Sequence, residues 1–131
     1  MEDLRRPERG ILGKKGEDLA LEFLLEKGMV LLARNWRCGH KELDLVMEDG
    51  NFIRVVEVKT RSWPAMADPL ENVDHAKRRR IISAARGFLG TMKRNGSLTA
   101  GKEVVFDVVS ILFNGEAFKV EYIRDAFAPT W

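Results

Sequence analysis

The sequence predicts an α/β or α+β domain in which helices flank one mixed sheet of about five strands, in the chain order α-β-β-β-α-β-β. Three observations support this prediction. Two stretches have apolar residues at helical spacing, five stretches have the alternation or β-branched content of strands, and turn residues separate them. At 131 residues, the chain is long enough for one domain with a hydrophobic core.

The first half of the chain contains one predicted helix and three predicted strands. The helix extends from Gly10 to Lys27, and Gly28 is typical of the position that follows a helix end. Its apolar arc consists of Leu12, Leu19, Ala20, Phe23 and Leu24. The strands are "MVLLARNWR", "ELDLVME" and "FIRVVEVKT", separated by the turns "CGHK" and "DGN". The short second turn predicts that the second and third strands form a hairpin.

The second half of the chain begins with "SWPAMADPL", a predicted loop because it contains two prolines. A helix follows from about Asn72 to Arg94, with Ile81, Ile82, Ala85, Phe88, Leu89 and Met92 as its apolar stripe. After the loop "NGSLTAGK", two strands, "EVVFDVVSILF" and "FKVEYIR", flank a turn at Asn114-Gly115. Residues 1–9 are charged and are predicted to be a flexible tail, which leaves 10–131 as the single domain.

Composition excludes several classes of protein. With 45% hydrophobic and 32% charged residues, the chain is typical of a soluble globular protein, and no apolar run is long enough for a membrane helix. The N-terminus "MEDLRRPERG" lacks the apolar region of a secretory signal. Cys38 is the single cysteine, so no internal disulfide forms, and we expect a cytoplasmic protein. A net charge of +2 does not by itself indicate a nucleic-acid partner.

Charged side chains lie inside the second and third predicted strands. Because side chains alternate along a strand, Glu42 and Asp44 are expected on one face, and Leu43, Leu45 and Met47 on the other. Glu57 and Lys59 likewise share a face with Ile53 and Val55. In a hairpin, the charged ends of both strands meet far from the turn. Carboxylates that meet there need compensation by a divalent cation or a lysine.

Each predicted helix adds one charged residue beside its apolar face. On the helical wheel Glu17 lies beside Ala20, Leu21 and Leu24, so its carboxylate is expected to face the sheet. Lys77 lies at the start of the apolar stripe of the second helix. Glu17 is either a ligand or an exposed flanking residue, and Lys77 either contacts a phosphate or covers apolar surface.

These residues, in this order, resemble the restriction-endonuclease-like or PD-(D/E)xK nuclease superfamily. The segments "GKKGEDLALEFLLEKG", "RNWRCGHKELDLV", "VVEVKTR", "DHAKRRRIISAARGFL", "FDVVSI" and "DAF" resemble, in order, the YraN-like family of small, uncharacterised bacterial proteins. Archaeal Holliday-junction resolvases are similar relatives. The chain departs from the family pattern in two places: Lys41 stands where the family has glycine, and Val105 where it has arginine.

The resemblance implies a restriction-endonuclease-like core and a metal-dependent endonuclease that acts on DNA rather than RNA, with branched or structured DNA in repair or recombination as a substrate class. Asp44 and Glu57, with the backbone carbonyl of Val58, would hold Mg²⁺ or Mn²⁺. Lys59 would orient water or stabilise developing charge. Glu17 would be a further ligand and Glu42 a ligand or a supporting acid. The implied nucleic-acid contacts are Lys77, Arg61, Arg34, Arg37 and Trp63.

Other interpretations stay open from the sequence. The charged hairpin is also typical of a solvated sheet face with Glu–Lys pairs, and Trp63 is also typical of rim packing. The chain can be a non-catalytic nucleic-acid-binding module of a larger DNA-processing assembly, or a protein–protein adaptor with a vestigial site. Retention of Asp44, Glu57 and Lys59 together argues against the adaptor. Analogy with the resolvases, whose two sites cut two strands, implies a homodimer, and a DNA-repair protein is a further partner to test.

Overall fold

The computed structural model describes residues 9–64, 74–96 and 101–131, which form two helices and five strands. These are α1 (Arg9–Glu26), β1 (Val30–Cys38), β2 (Lys41–Asp49), β3 (Phe52–Ser62), α2 (His75–Arg94), β4 (Glu103–Asn114) and β5 (Ala117–Phe127). The predicted order α-β-β-β-α-β-β is therefore confirmed. Residues 1–8 of the predicted tail, and most of the two predicted loops beside α2, lie outside the described residues.

The five strands form one mixed sheet in the order β1-β2-β3-β4-β5. Neighbours are antiparallel except for β3 and β4, which run parallel from Phe52↔Glu103 to Ser62↔Phe113. Parallel neighbours require a crossover connection, and α2 lies within it. The hairpin of β2 and β3 is confirmed, since Asp49 pairs with Phe52 across its turn. The charged ends of these two strands consequently lie at the same end of the sheet.

The two helices cover opposite faces of the sheet. The α2-side cluster contains Ile81, Ile82, Ala85 and Phe88 of α2 packed on Leu43, Val46, Ile53, Val55, Phe106 and Val108. The α1-side cluster contains Ala20 and Leu24 of α1 packed on Leu45, Met47, Val56, Val109 and Ile111. The central strands are buried on both sides, which explains their nearly continuous apolar sequences. Neither described helix is long and apolar enough to cross a membrane.

The ends of both helices follow from local sequence. Gly28 has φ +88°, and its amide donates to the carbonyl of Leu25 at 2.9 Å, so glycine ends α1 as predicted. The second helix begins later than the predicted Asn72. Asp74 is extended and its carboxylate accepts from the amide of Lys77 at 2.8 Å, which makes Asp74 the N-cap and His75 the first helical residue.

A buried polar network joins β3, β4 and β5, with Arg54 near the start of β3 and Asp107 of β4 at the level of Val56. Asp107 is fully buried, and its Oδ2 lies 3.1 Å from the guanidinium of Arg54 and accepts from the Tyr122 hydroxyl at 2.5 Å. Its Oδ1 accepts from the amide of Asp125 at 2.9 Å, beside an irregularity in the β4–β5 pairing. The family arginine replaced by Val105 is therefore not needed to compensate Asp107, because Arg54 of β3 does so. Burial and the Asp107 carboxylate raise the pKa of Tyr122.

Helix α1 approaches β3 closely at Gly16, directly before Glu17. A β-carbon at Gly16 would overlap the Thr60 hydroxyl and lie 3.2 Å from Thr60 Cβ and Cγ2. We expect Gly16→Ala to lower the free energy of unfolding by about 1–3 kcal/mol, since the helix must move away from the strand. Gly13→Ala is the matched control, because its β-carbon meets nothing within 4 Å and alanine favours the helix.

Urea unfolding of the two variants measures this difference directly. Gly13→Ala should be at least as stable as the wild type, and Gly16→Ala clearly less stable. Equal stability of the two variants would show that α1 does not pack against Thr60 at this distance.

Candidate active site

The backbone pairing of β2 and β3 stops at Leu45↔Val56, and Asp44 and Glu57 are the next residues. Beyond this point the Asp44 side chain replaces the ladder, and its Oδ2 accepts from the amide of Val58 at 2.9 Å. The two strands therefore diverge at their charged ends. A carboxylate that accepts a backbone N–H in this way is held in a fixed position between the strands.

The alternation of β2 side chains between the two faces of the sheet reverses at Asp44. Leu45 and Met47 belong to the α1-side cluster, but Leu43 belongs to the α2-side cluster. The prediction that Leu43 shares a face with Leu45 and Met47 is therefore wrong. The neighbouring strand reverses at the same level, because Arg34 contacts Asp18 of α1 whereas Trp36 packs against Phe88 of α2.

The residue between Arg34 and Trp36 explains the reversal. Asn35 has φ +51°, in the left-handed region, and it is missing from the β1–β2 register between Arg34↔Leu45 and Trp36↔Leu43. Asparagine tolerates this conformation better than other non-glycine residues. One strained residue on β1 thus lies opposite the turn in β2 that presents Asp44.

We expect Asn35→Val to lower the free energy of unfolding by about 1–2 kcal/mol, because a β-branched residue is disfavoured at positive φ. Asn35→Gly accepts the same backbone conformation and should stay close to the wild type. Chemical denaturation of both variants checks this expectation. An Asn35→Val protein as stable as Asn35→Gly would contradict the left-handed conformation in solution.

Two lysines face the carboxyl pair. Glu57 is 9% exposed, and its Oε1 lies 2.6 Å from Nζ of Lys77, which extends from the first turn of α2. Lys59, two residues along β3, is close enough to Lys77 for the two positive charges to repel each other. The predicted face shared by Glu57, Lys59, Ile53 and Val55 agrees with this placement beside α2. The second helix therefore supplies a partner that sequence spacing alone cannot bring to Glu57.

The electrostatics of the pair differ strongly from those of exposed side chains. Burial, followed by the charge of Glu57 and a hydrogen bond to it, raises the pKa of Asp44 from its ordinary value of 3.8 to about 8, against the Val58 amide. Burial and the charge of Lys77 lower the pKa of Lys59. Burial by itself would lower the pKa of Lys77. The negative charges of the Glu57 and Asp44 carboxylates outweigh burial, so the pKa of Lys77 is raised. Strongly shifted groups in a cleft are typical of functional sites.

The other predicted acids lie at the border of the site. Glu17 Oε1 is buried, 3.7 Å from Nε of Arg34, without a hydrogen-bond partner among the described residues. Burial raises the pKa of Glu17, and the Arg34 guanidinium opposes this rise. Glu42 is exposed and lies 3.6 Å from the Arg37 guanidinium. The charge of Glu17 makes the smallest contribution to the raised pKa of Asp44, and Glu17 does not line the cleft beside Asp44 and Glu57.

The predicted nucleic-acid contacts are distributed around this centre. Arg34 is held 2.6 Å from Asp18, and Arg61 donates to the Ser110 hydroxyl at 3.2 Å. Trp63, directly after β3, is 62% exposed. Arg37 is exposed beside Glu42, and Lys77 is engaged with Glu57. The structure therefore gathers Asp44, Glu57, Lys59 and Lys77, and places the remaining predicted contacts at the periphery.

A cleft of about 260 Å³ opens onto the carboxyl pair and adds residues that the sequence interpretation did not assign. Its walls include His40 and Lys41 from the β1–β2 turn and Arg80 from α2, beside Asp44 and Glu57. The available signal for Arg80 was its spacing of three residues from Lys77, which places both on neighbouring helical turns. For Lys41, the signal was its position where the family has glycine.

The donor set fits a hard divalent cation held by two carboxylates. Burial and, after it, the charge of the neighbouring Glu57 raise the pKa of Asp44. Among the described residues, no group of three or more acidic, histidine or cysteine side chains is gathered to hold a metal ion. Mg²⁺ is commonly bound by one or two carboxylates together with water and phosphate oxygens, so two carboxylates suffice.

Comparison with known proteins places the chain in a family. A sequence profile described as "Uncharacterised protein family UPF0102" matches residues 16–111, which include all the residues gathered at the site. A UPF0102 protein of Bacteroides thetaiotaomicron is 37% identical over 122 residues, 93% of this chain and 96% of the relative. Those of Rhodococcus opacus (41% over 117 residues, covering 88% and 95%) and Stutzerimonas stutzeri (43% over 115 residues, covering 88% and 92%) are similar. The chain therefore belongs to the UPF0102 family, the YraN-like proteins that its motifs resemble.

Proposed function

We propose that this protein is a metal-dependent endonuclease that hydrolyses phosphodiester bonds in DNA. The observation that carries the proposal is the meeting of Asp44 and Glu57 with Lys59 and Lys77 where β2 and β3 diverge. Two carboxylates and a lysine on adjacent strands are the groups that phosphodiester hydrolysis needs, a cation site and a fixed positive charge. The resemblance to the PD-(D/E)xK superfamily supports the same reaction, with structured DNA as the substrate class.

Asp44 and Glu57 would hold Mg²⁺ or Mn²⁺, with the Val58 carbonyl and Glu17 as further candidate ligands. The bound ion would polarise the phosphodiester and lower the pKa of an attacking water. Hydrolysis joins the water oxygen to phosphorus and breaks the bond from phosphorus to the leaving sugar oxygen, which takes up a proton. Lys59 would orient that water or donate a hydrogen bond to the phosphoryl oxygen on which charge develops.

Lys77 compensates Glu57 in the present arrangement. Its ammonium group lies 2.6 Å from Glu57 Oε1, and the paired charges limit the penalty for burying the carboxylate. When a cation binds the carboxyl pair, this compensation is no longer required. Lys77 would then be available for a substrate phosphate, in agreement with its predicted role.

The proposal is tested by incubating the purified protein with Mg²⁺ or Mn²⁺ and labelled duplex, single-stranded, flap and four-way-junction DNA. We expect cleavage of at least one substrate that requires the metal and is lost in Asp44→Ala. Matched RNA strands show whether DNA is preferred. Absence of cleavage on every substrate with either metal would contradict the proposal.

A second candidate is the non-catalytic nucleic-acid-binding module. The ion pair between Lys77 and Glu57 favours it, because lysine already supplies the compensating charge without a metal. This candidate expects the same DNA to be bound without cleavage, and it expects binding to survive in Lys59→Ala. The two candidates are therefore separated by the same substrate panel.

The raised pKa of Asp44 predicts how stability depends on pH and metal. The folded protein binds a proton that the unfolded chain releases near pH 3.8, so this stabilisation is full at low pH and is lost as pH rises through about 8. We expect metal-free protein to lose on the order of 2–3 kcal/mol between about pH 5 and 8, since one pKa unit is about 1.4 kcal/mol and solvent screening reduces the sum.

Denaturant unfolding of wild type and Asp44→Asn across this pH range measures the effect. Asp44→Asn should flatten the decline, and Mg²⁺ or Mn²⁺ should stabilise the wild type more at high pH than at low pH. A decline of the same size in Asp44→Asn would assign it to another group. Stabilisation by metal that persists in Asp44→Asn would place the ion elsewhere.

A further inference from the structure

The charges that line the cleft are not evenly compensated. Each cleft carboxylate already has a partner: Glu42 has Arg37, Asp44 accepts from the Val58 amide, and Glu57 has Lys77. The acids of the cleft therefore do not require further cations from its walls.

Two positively charged residues of the cleft, Lys41 and Arg80, differ from these acids because they have no oppositely charged partner among the described residues. Lys41 donates to the neutral hydroxyl of Ser83 on α2 at 2.5 Å, so it bridges from the β1–β2 turn to the helix without losing its charge to an acid. Arg80 lies in the same wall, and its charge acts on Asp74, the cap of α2. Within the described part of the chain, neither Lys41 nor Arg80 forms an ion pair with a carboxylate. Lys41 and Arg80 thus line the cleft that also contains the carboxyl pair.

We propose that Lys41 and Arg80 form a phosphate-binding site for the nucleic-acid backbone beside the carboxyl pair. This inference rests on the proposed function and adds the path of the substrate strand, which runs across the surface that the β1–β2 turn and α2 form together. Phosphate contacts of this kind give affinity without sequence specificity, so the site is expected to bind DNA of any sequence. The bidentate guanidinium of Arg80 suits a phosphodiester, and Lys41 supplies a point charge.

The size of the cleft limits what enters it. At about 260 Å³ it is smaller than the roughly 300 Å³ at the lower end of sites for small organic ligands. One phosphodiester group with part of its sugar is an appropriate occupant, and the rest of the strand must lie across the protein surface. The position of Lys41 also gives a role to the residue that departs from the glycine of the family pattern.

The test measures the salt dependence of binding to fluorescent single-stranded and duplex oligonucleotides. Lys59→Ala is the parent, because it retains both carboxylates and is expected not to cut the probe in Mg²⁺. Lys41→Gln and Arg80→Gln are added singly and together, and Lys93→Gln is the control. Lys93 is exposed in the last turn of α2, about 20 Å along the helix from Arg80, and its loss changes the net charge equally.

Each cleft variant is expected to reduce the slope of log affinity against log salt by about 0.9 for the duplex and about 0.7 for the single strand, and the double variant by about twice these amounts. Lys93→Gln should leave the slope unchanged. If Lys41→Gln and Arg80→Gln behave like Lys93→Gln while the parent binds, the inference is wrong although the nuclease proposal can still hold. If the wild type fails to cleave but both cleft variants lose slope, the phosphate site stands and the nuclease proposal falls. If the Lys59→Ala parent binds no oligonucleotide at low salt, the inference is wrong. If free phosphate binds at Lys41 and Arg80 but an oligonucleotide does not, the cleft is a small-anion site and not a site for the nucleic-acid backbone.

Discussion

Replacement of Lys59 by alanine is expected to reduce metal-dependent cleavage about 100- to 1000-fold, the range typical of losing one group that stabilises developing charge. Lys59 is part-buried beside Lys77, and burial together with that neighbouring charge lowers its pKa. The alanine side chain of the variant leaves no positive charge at this position on β3. Because Lys59 is not a candidate ligand, metal binding should persist while the chemical step is slowed.

The measurement separates chemistry from binding by comparing single-turnover rates with metal-induced stabilisation of the same variant. Lys119→Ala, an exposed lysine on β5, is the control and should keep full activity. Lys59→Ala should retain stabilisation by Mn²⁺. Wild-type cleavage rates in Lys59→Ala would remove Lys59 from the mechanism, and loss of metal stabilisation would instead indicate a damaged site.

The largest effect on stability is expected at Asp107. Truncation to alanine leaves the buried Arg54 guanidinium with the part-exposed Asp49 as its remaining carboxylate among the described residues, and removes the acceptor of the Tyr122 hydroxyl and the Asp125 amide. Breaking a buried pair from one side costs about 3–5 kcal/mol. Since domains are stable by only about 5–15 kcal/mol, Asp107→Ala should be marginally folded.

Asp49 provides the matched control for this network. It also contacts Arg54, at 2.8 Å, but its side chain is 35% exposed, so Asp49→Ala should cost no more than about 1 kcal/mol. Combining Asp107→Leu with Arg54→Leu removes both charges and should recover much of the loss of Asp107→Leu alone. Urea unfolding gives the stability of all four variants. Equal effects at Asp49 and Asp107 would contradict the burial of the network.

The elements of the fold were predictable because their signals are local. Helical spacing, the alternation of "ELDLVME" and the glycine at position 28 each depend on neighbouring residues, and the order they predict is confirmed. The start of α2 was predicted too early, because several polar residues before the helix are suitable N-caps and the structure uses Asp74. The faces of β2 were predictable only as far as Asp44. The reversal there depends on the left-handed conformation of Asn35 on a different strand.

The composition of the site was partly predictable for the same reason. Asp44, Glu57 and Lys59 lie on one hairpin, whose short turn fixes which ends meet. Lys77 was assigned to a substrate phosphate or to apolar cover, and its contact with Glu57 arises because the first turn of α2 lies beside this residue of β3. The buried Arg54–Asp107 pair was missed, although a charge inside each of the apolar runs "IRVVEV" and "VVFDVVSIL" is an available signal. The partner of such a charge is set by strand order, which the sequence does not contain.

The most direct test of the central claim is the cleavage rate of wild type and Asp44→Asn on the best substrate, with Mg²⁺ and with chelator. The exchange replaces one carboxylate oxygen with an amide nitrogen, which cannot bind the cation as a carboxylate does, while the size of the side chain is kept. We expect cleavage by the wild type that needs metal, and near-complete loss in Asp44→Asn prepared in the same way. Equal rates in the two proteins, or cleavage that continues in chelator, would contradict a metal-dependent site at Asp44 and Glu57.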